Sequence, residues 1–305
     1  MRADVSIEES RKRPLVRRLL VLGSCLIIAA CGTACGSDTA PTPATPSSTA
    51  RAAADAPPGG QISITVPGTL AADFAELEQS GQGDLGLAIM PVGGSKSVGL
   101  GEWTTGPAWS TMKVPLVIAA GREGSSGRSY AASAAITSSD NSAAETLWSG
   151  LGTPQQAAAA VQAVLREGGD TATVVPEKRT RSQYSAFGQA DWALADQVRF
   201  ASALPCLPGT EEVLELMDSV NSSQQWGLGS VFSSAQYKGG WGPDAEGAYL
   251  VRQFGLVPAG AGMIAIALAA QPDTGSFADG VDLLDQVATL ISQHLGEFSG
   301  GSCAA

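Results

Sequence analysis

The pattern of apolar and polar residues predicts a helix followed by a β-hairpin near residue 70. The helix begins after Thr69, which suits an N-cap, and its apolar residues recur at helical spacing. Two runs with strand character follow, at residues 84–92 and 96–103. The glycine-rich segment between them, residues 93–95, suits the turn of a hairpin.

The rest of the chain predicts a helical region, three more strands and a final helix. Residues 110 to about 220 are rich in Ala, Leu and Gln and show helical periodicity. Strand-like runs follow at residues 237–241, 249–257 and 263–270. The last helix is amphipathic, and one of its faces carries Val281, Leu284, Val287, Ala288, Ile291 and Leu295. This order predicts an α+β fold: an antiparallel five-stranded sheet flanked by N- and C-terminal helices, with an all-helical subdomain inserted at about residues 110–220.

The N-terminus has the features of a bacterial export signal. An apolar run at residues 19–30 follows a basic segment that contains Arg11, Lys12, Arg13, Arg17 and Arg18. The run is short for a membrane-spanning helix and ends in small residues. The sequence Ile28-Ala29-Ala30-Cys31 resembles a lipobox, which implies cleavage after residue 30 and lipid attachment at Cys31. Weaker alternatives are lipidation of Cys35, an uncleaved signal anchor and a secretory peptide that is cut elsewhere.

Residues 31–60 separate this signal from the folded part of the chain. They are mostly Ala, Pro, Thr, Ser and Gly, which is typical of a disordered linker. A flexible chain of that length spans about 30 Å. We therefore expect a signal peptide at 1–30, a lipidated linker at 31–60, a folded domain at 61–298 and a tail at 299–305. The protein would be exported and held by lipid at the extracytoplasmic face of the cell membrane.

Composition and charge exclude several classes of function. The chain has 305 residues and a formal net charge of -11, which opposes binding to nucleic acid because phosphate contacts need a basic face. Its single histidine, His294, makes a multi-histidine zinc site impossible. We expect no metal and no cofactor, and we expect a monomer.

Two cysteines lie in the predicted folded part and its tail. Cys206 and Cys303 can pair in an oxidising compartment, which would tie the C-terminal tail to the domain. Two free buried thiols are the alternative, and the sequence does not decide between them.

The first candidate for chemistry is the tetrad Ser110-Thr111-Met112-Lys113, which opens an apolar helical segment. Residues three apart share a helix face, so the Lys113 amine can reach the Ser110 hydroxyl. Serine is a weak nucleophile until a base takes its proton. Lysine can be that base when burial or a second positive charge lowers its pKa. Taken alone, the tetrad also fits a helix start with an incidental surface lysine.

Two further motifs follow the tetrad along the chain. Ser139-Asp140-Asn141 lies between alanine-rich segments, and Lys238-Gly239-Gly240 comes directly before Trp241. With these three motifs the chain resembles the serine β-lactamase and penicillin-binding protein superfamily, most closely the class A β-lactamases. Their signatures S-x-x-K, S-D-N and K-[TS]-G occur in this order. The resemblance covers about residues 70 to 295.

The resemblance implies catalytic roles for four residues. Ser110 would be acylated by the substrate, and Lys113 would be its general base. Ser139 would relay a proton to the leaving group. Lys238 would supply positive charge that binds a substrate carboxylate and tunes Lys113 and Ser139.

Substrate contacts are implied for a second group of residues. Asn141 would bind the substrate amide. The segment Gly240-Trp241 would join Ser110 in forming the oxyanion hole, through the backbone N–H groups of Ser110 and Trp241. Arg252, on the next predicted strand, is a candidate for binding a carboxylate, and a solvated strand arginine is an equal alternative.

Two departures from the class A pattern affect the expected activity. Class A enzymes carry a glutamate directly before a loop proline, where it activates the water that hydrolyses the acyl-enzyme. Here Val175 precedes Pro176, and Glu177 lies two residues beyond Val175. Gly239 replaces the Thr or Ser of the third motif, and a lost hydrogen bond to a charged group costs about 1.5–3 kcal/mol. We therefore expect slow hydrolysis of an acyl-enzyme and no efficient β-lactamase activity.

Three functions fit these residues to different degrees. The first is an extracytoplasmic serine hydrolase that acts through acyl-Ser110 on a β-lactam, a peptidoglycan peptide or another amide or ester. The second is a catalytically degraded lipoprotein of the cell envelope that keeps the fold as a binding module. A glutaminase-like hydrolase is less favoured, since the context of Ser139-Asp140-Asn141 fits β-lactamases better.

Overall fold

The computed structural model describes residues 68–124 and 128–304. The signal peptide, the lipidated Cys31, the linker and the first residues of the expected domain lie outside the described residues and stay predictions. Among the described residues, no helix is both long and apolar enough to cross a membrane.

The described strands form one antiparallel sheet, which confirms the predicted α+β fold. Their order across the sheet is β2-β1-β5-β4-β3. The strands are β1 Gly83–Pro91, β2 Val98–Leu100, β3 Gln236–Pro243, β4 Tyr249–Ala259 and β5 Gly262–Pro272. The order places β5 at the centre and leaves β3 as an edge strand, which matters because Lys238 lies on β3.

The second strand of the hairpin is shorter than the sequence predicts. It covers Val98–Leu100 rather than residues 96–103. Gly101 has a positive φ of 92°, and a Cβ there would lie 2.2 Å from the carbonyl oxygen of Leu85. The chain therefore leaves regular strand geometry at Gly101, because the close backbone approach requires a residue without a side chain.

Helices cover both faces of the sheet. They are α1 Leu70–Gln79, α2 Lys113–Arg122, α3 Arg128–Thr137, α4 Asn141–Gly150, α5 Pro154–Glu167, α6 Leu194–Ala203, α7 Glu211–Asp218, α8 Leu228–Val231 and α9 Phe277–Gln293. The terminal helices α1 and α9 pack together on one face, and α6 packs on the other. Helices α2 to α5 and α7 form the inserted helical part, as predicted.

The central strand separates two hydrophobic cores. Along β5, Ile264, Ile266 and Leu268 point towards the core under the terminal helices. Ala265, Ala267 and Ala269 alternate with them and point towards the core under the helical part. Successive strand residues point to opposite faces. The small alanines allow α6 to lie close to the sheet on the side that carries the candidate site.

A disulfide joins Cys206 to Cys303, with 5.3 Å between the two Cα atoms. It selects one of the two alternatives that the sequence leaves open. The bond closes a loop with a sequence separation of 97 residues. A cross-link of this size typically stabilises a fold by about 2–4 kcal/mol, because it restricts the unfolded chain. It also fixes the C-terminal tail beside the domain.

Candidate active site

Ser110 lies in a 3₁₀ turn, Trp109–Met112, which leads directly into α2 at Lys113. In a 3₁₀ turn the side chains of residues three apart eclipse each other, so Ser110 and Lys113 share one side of the chain. Ser110 is half-buried, whereas the Lys113 side chain is only 1% exposed. The tetrad thus places an accessible hydroxyl beside a desolvated amine.

The residue before Ser110 adopts a conformation that is rare for a side-chain-bearing residue. Trp109 has a φ of 49°, and its ring packs edge-on against Tyr184 with 5.0 Å between centroids. A Cβ on Gly242 would lie 2.6 Å from the Trp109 ring, so a glycine is needed there. Strained φ values of this kind persist where the surroundings enforce them, often at functional sites. Here the packing around the Trp109 ring holds the turn that presents Ser110.

Ser139 comes from the loop between α3 and α4. It also has a positive φ, 55°, two residues after α3 ends at Thr137. Glycine is the usual residue in this conformation after a helix, so a serine here indicates a need for its hydroxyl. Asp140 caps α4, since its side chain accepts a hydrogen bond from the Ala143 N–H at 2.8 Å. Asp140 therefore has a structural role at the start of α4.

Strand β3 brings the third motif to the same place. A Cβ on Gly240 would lie 2.9 Å from the backbone nitrogen of Ser110, so the strand edge abuts the serine turn. Gly239, next along the strand, faces the other core, where a Cβ would lie 2.6 Å from the ring of Trp226. The Trp241 ring packs on that same side, 6.0 Å from Trp226. Only the backbone of Trp241 therefore remains for an oxyanion hole, as the resemblance implies.

The two lysines meet at the hydroxyl of Ser139. Lys238 Nζ donates to Ser139 Oγ at 2.9 Å and to the Gly239 carbonyl at 2.8 Å. Lys113 Nζ donates to Ser139 Oγ at 3.2 Å, to the Ser139 carbonyl, and to Asn141 Oδ1 at 2.7 Å. In the described part of the chain, neither ammonium group donates to the Ser110 hydroxyl. Hydrogen bonds of catalytic groups are often formed only when substrate is bound.

Burial changes the acid–base behaviour of both lysines. It lowers the pKa of Lys113 from 10.5 to about 7, against the opposing effect of the negative charges of Asp140 and Glu145. Burial lowers the pKa of Lys238 well below 10.5, and the positive charge of Lys113 lowers it further. A lysine with a pKa near neutrality is a usable general base, because a large fraction of it is unprotonated at pH 7.

Arg252 does not lie in this site, so the prediction that it contacts substrate or solvent is wrong. Its side chain is fully buried. The guanidinium donates to the carbonyls of Gly106, Pro107 and Trp192 and to Gln197 Oε1, at distances of 2.8–3.1 Å. Burial lowers the pKa of Arg252 to about 9, against the negative charge of Asp191. Its contacts instead hold the segment that leads into the serine turn.

Val175 supplies no carboxylate to the site. It is 4% exposed, and its N–H donates to Gln162 Oε1 at 3.2 Å. Glu177 is partly exposed and pairs with Lys178, with 3.6 Å between Oε1 and Nζ. Glu177 does not line the cavity next to Ser110.

A cavity of about 300 Å³ opens beside Ser110 and Lys113. One wall comes from the start of α4, with Asn141 and Glu145, and the other comes from residues 179–188, with Arg179 and Tyr184. The sequence did not point to Glu145, Arg179 or Tyr184 as residues of the site. Glu145 could be found by its spacing, since it lies four residues after Asn141 on one helix. Arg179 and Tyr184 lie in an irregular segment, where spacing gives no such signal.

Comparisons with known proteins bear on the fold. No protein family model matches the sequence, and a search of curated proteins finds no match. Solved structures do match. A class A β-lactamase from Mycobacterium abscessus superposes with a TM-score of 0.60 at 16% identity, over 75% of this chain and 100% of that one. A β-lactamase from Streptosporangium roseum gives 0.59 at 16% identity, over 74% and 98%.

An ancestral class A β-lactamase, GNCA, gives a TM-score of 0.58 at 18% identity, over 74% of this chain and 99% of that one. Each of these enzymes is matched over nearly its whole length. Because the identities are low, the likeness establishes the fold and not the activity. The described domain therefore has the fold of the class A β-lactamases.

Proposed function

We propose that this protein is a serine hydrolase that forms an acyl-enzyme on Ser110. The observation that carries the proposal is the meeting of Lys113 and Lys238 at the hydroxyl of Ser139, beside the cavity that Ser110 lines. Lys113 and Lys238 are almost fully buried, and burying two amines is costly unless function or pairing requires it. A helix start with an incidental surface lysine would not produce this arrangement.

In the proposed reaction, neutral Lys113 takes the proton of Ser110. The Ser110 oxygen then attacks the carbonyl carbon of the substrate, and the new oxyanion accepts hydrogen bonds from the N–H groups of Ser110 and Trp241. The bond to the leaving group breaks as Ser139 donates its proton to that group. Lys113, now an ammonium, returns a proton to Ser139, and Lys238 keeps the Ser139 hydroxyl in place.

The proposed substrate is a β-lactam, a peptidoglycan-derived peptide or another small amide or ester. The cavity of about 300 Å³ suits a small molecule or the end of a peptide. The buried positive charge of Lys238 favours a substrate with a carboxylate near its scissile bond. Asn141 lies at the cavity wall, where its side chain can meet a substrate amide.

Intact-mass spectrometry should detect one covalent adduct on the wild-type protein after incubation with a penicillin or a fluorophosphonate. The adduct should be absent in Ser110→Ala, because that variant has no nucleophile. Ser142→Ala is the matched control, since Ser142 lines the same cavity, and it should still be modified. If neither probe adds mass to the wild-type protein, the enzymatic proposal fails and the binding-module hypothesis replaces it.

We also propose that the protein is exported and anchored by lipid on Cys31. The basic and apolar N-terminal segments and the lipobox-like sequence support this proposal, and a disulfide suits an oxidising compartment. In cell fractionation, the wild-type protein should sediment with membranes, and Cys31→Ser should be released or retain its signal peptide. A matching Cys35→Ser should stay membrane-bound. Equal behaviour of Cys31→Ser and wild type would contradict the anchor at Cys31.

A further inference from the structure

The proposed reaction needs a second proton acceptor, because the Ser110 ester must be released. Water attacks an ester slowly unless a base takes its proton. Val175, which the sequence aligns with that base, has an apolar and buried side chain. The base must therefore come from another part of the cavity or be absent.

We propose that Glu145 is the carboxylate that activates the water that hydrolyses the Ser110 acyl-enzyme. This inference rests on the proposed acyl-Ser110 chemistry. Among the described residues that line the cavity, Glu145 supplies the carboxylate, and it shares that cavity with Ser110 and Lys113.

The geometry of α4 places Glu145 next to the reacting groups. The helix begins at Asn141, whose Oδ1 accepts a hydrogen bond from Lys113 Nζ at 2.7 Å. Glu145 lies four residues further on the same helix face, about 6 Å along the helix axis. Asn141, Ser142 and Glu145 all line the cavity, so this face of the helix is the cavity wall.

Glu145 is paired with a positive charge and remains partly exposed to solvent. Its Oε1 lies 2.9 Å from Arg179 Nη2, and its side chain is 31% exposed. The positive charges that face it are Arg179 from the opposite wall and Lys113 from the start of α2. Helices α3 and α5 also pack against α4, but among the described residues neither contributes a side chain to this cavity. A carboxylate has about four acceptor sites, so one ion pair leaves room for a bound water.

The proposed step transfers the acyl group from Ser110 to water. The Glu145 carboxylate takes one proton from water, and the resulting hydroxide oxygen forms a bond to the acyl carbon of the Ser110 ester. The tetrahedral intermediate then collapses, the bond between that carbon and Ser110 Oγ breaks, and Ser110 Oγ takes up the proton that Glu145 removed from water, relayed through Lys113, which is neutral after acylation. The acid product leaves, and Glu145 is again a carboxylate and Lys113 again neutral.

The test compares the lifetimes of the acyl-enzyme in matched variants. Each protein is acylated with a penicillin, excess reagent is removed, and the adduct mass is followed with time. Loss of the adduct should be about 100-fold slower in Glu145→Gln than in wild type, which is the usual size of a general-base contribution. Glu177→Gln, which changes a glutamate outside the cavity, should leave the lifetime unchanged.

Two further measurements separate a base from a structural ion pair. Arg179→Gln removes the ion pair but keeps the carboxylate, so it should keep most of the hydrolysis. Hydroxylamine attacks esters without a base, so it should release the adduct equally fast from wild type and Glu145→Gln. Equal slowing in Glu145→Gln and Arg179→Gln would show that the pair only holds the wall, and it would overturn the inference.

The outcomes also separate this inference from the proposed function. If the wild-type protein forms no adduct, the acyl-Ser110 proposal itself fails. If the adduct forms and its lifetime is the same in wild type and Glu145→Gln, the acyl-enzyme stands and Glu145 is not its base.

Discussion

Lys113→Arg should slow acylation of Ser110 by about 100- to 10,000-fold, which is the range of a general-base contribution. Arginine keeps the positive charge and much of the length of lysine, but its guanidinium does not lose a proton in water. The substitution therefore removes the base while it keeps a donor for Asn141 and Ser139. Stopped-flow or quenched-flow acylation by a penicillin, read by intact mass, measures the rate.

The same mechanism predicts the pH dependence of the wild-type rate. The pKa of Lys113 is lowered to about 7, so the neutral amine is the minor form below pH 7 and the major form above it. Acylation should therefore rise with pH through about 7, and at pH 5 it should be roughly one hundredth of its plateau. The residual acylation rate of Lys113→Arg should not rise with pH through about 7.

An exposed lysine in the segment after Val175 provides the control for the acylation rate and for its pH dependence. Lys178 is 80% exposed in its side chain, and Lys178→Arg should acylate at the wild-type rate with the same pH profile. A wild-type rate that does not change between pH 5 and pH 8 would contradict Lys113 as the base. So would a Lys113→Arg protein that acylates normally.

The sheet and its flanking helices could be predicted because their sequences are locally consistent. In β5, large aliphatic residues alternate with alanines, which fits one strand between two cores. In α9, the apolar residues recur every three or four positions and lie against the sheet. Such patterns depend on neighbours in the sequence, so they can be read without the structure.

The motif residues could be found for a different reason. S-x-x-K and S-D-N are short segments whose serine, lysine and asparagine residues have expected chemical roles, and the likeness to a known family supplied their expected partners. Lys113 and Lys238 lie 125 positions apart in the sequence, and both contact the hydroxyl of Ser139. The resemblance suggested that meeting, whereas the distances and the degree of burial needed the structure.

The walls of the cavity show what local patterns cannot supply. Arg179 and Tyr184 belong to an irregular segment whose path is set by contacts with α4 and with Trp109. The strained φ values of Trp109 and Ser139 likewise arise from packing around them. Packing also explains Gly239. The Trp226 ring leaves no space for the Thr or Ser side chain that the third motif usually carries at this position.

The observed role of Arg252 differs from the role that the sequence predicts, because the side chain is buried in the fold. Substitution of Arg252 should have the largest effect on stability. Arg252→Met should lower the free energy of unfolding by about 3–5 kcal/mol, because several buried acceptors lose the donor that they share. Methionine can fill much of the space, but it leaves the carbonyls of Pro107 and Trp192 without their donor, while the Gly106 carbonyl keeps only its bond from the Trp192 N–H. Buried groups without partners each cost about 1–3 kcal/mol.

The network around Arg252 also reaches the nucleophile. Gln197 accepts from Arg252 and donates to Thr111 Oγ1 at 3.0 Å, and Thr111 is the residue after Ser110. Arg252→Met should therefore also slow acylation of Ser110 in the fraction of protein that stays folded. Urea unfolding followed by tryptophan fluorescence measures the stability, and intact mass measures the acylation.

Arg199→Met is the control for the stability measurement. Arg199 pairs with Asp196 at 2.8 Å, but its side chain is 46% exposed, and an exposed ion pair contributes about 1 kcal/mol or less. Both variants replace a guanidinium group with the same side chain. The difference between their free energies of unfolding therefore measures the contribution of the buried contacts. If Arg252→Met unfolds at the same urea concentration as Arg199→Met, the buried guanidinium does not support the serine turn. If Arg252→Met does not fold at all, Gln197→Leu tests the same network, since it breaks the link between Arg252 and Thr111 while it leaves the three backbone carbonyls paired.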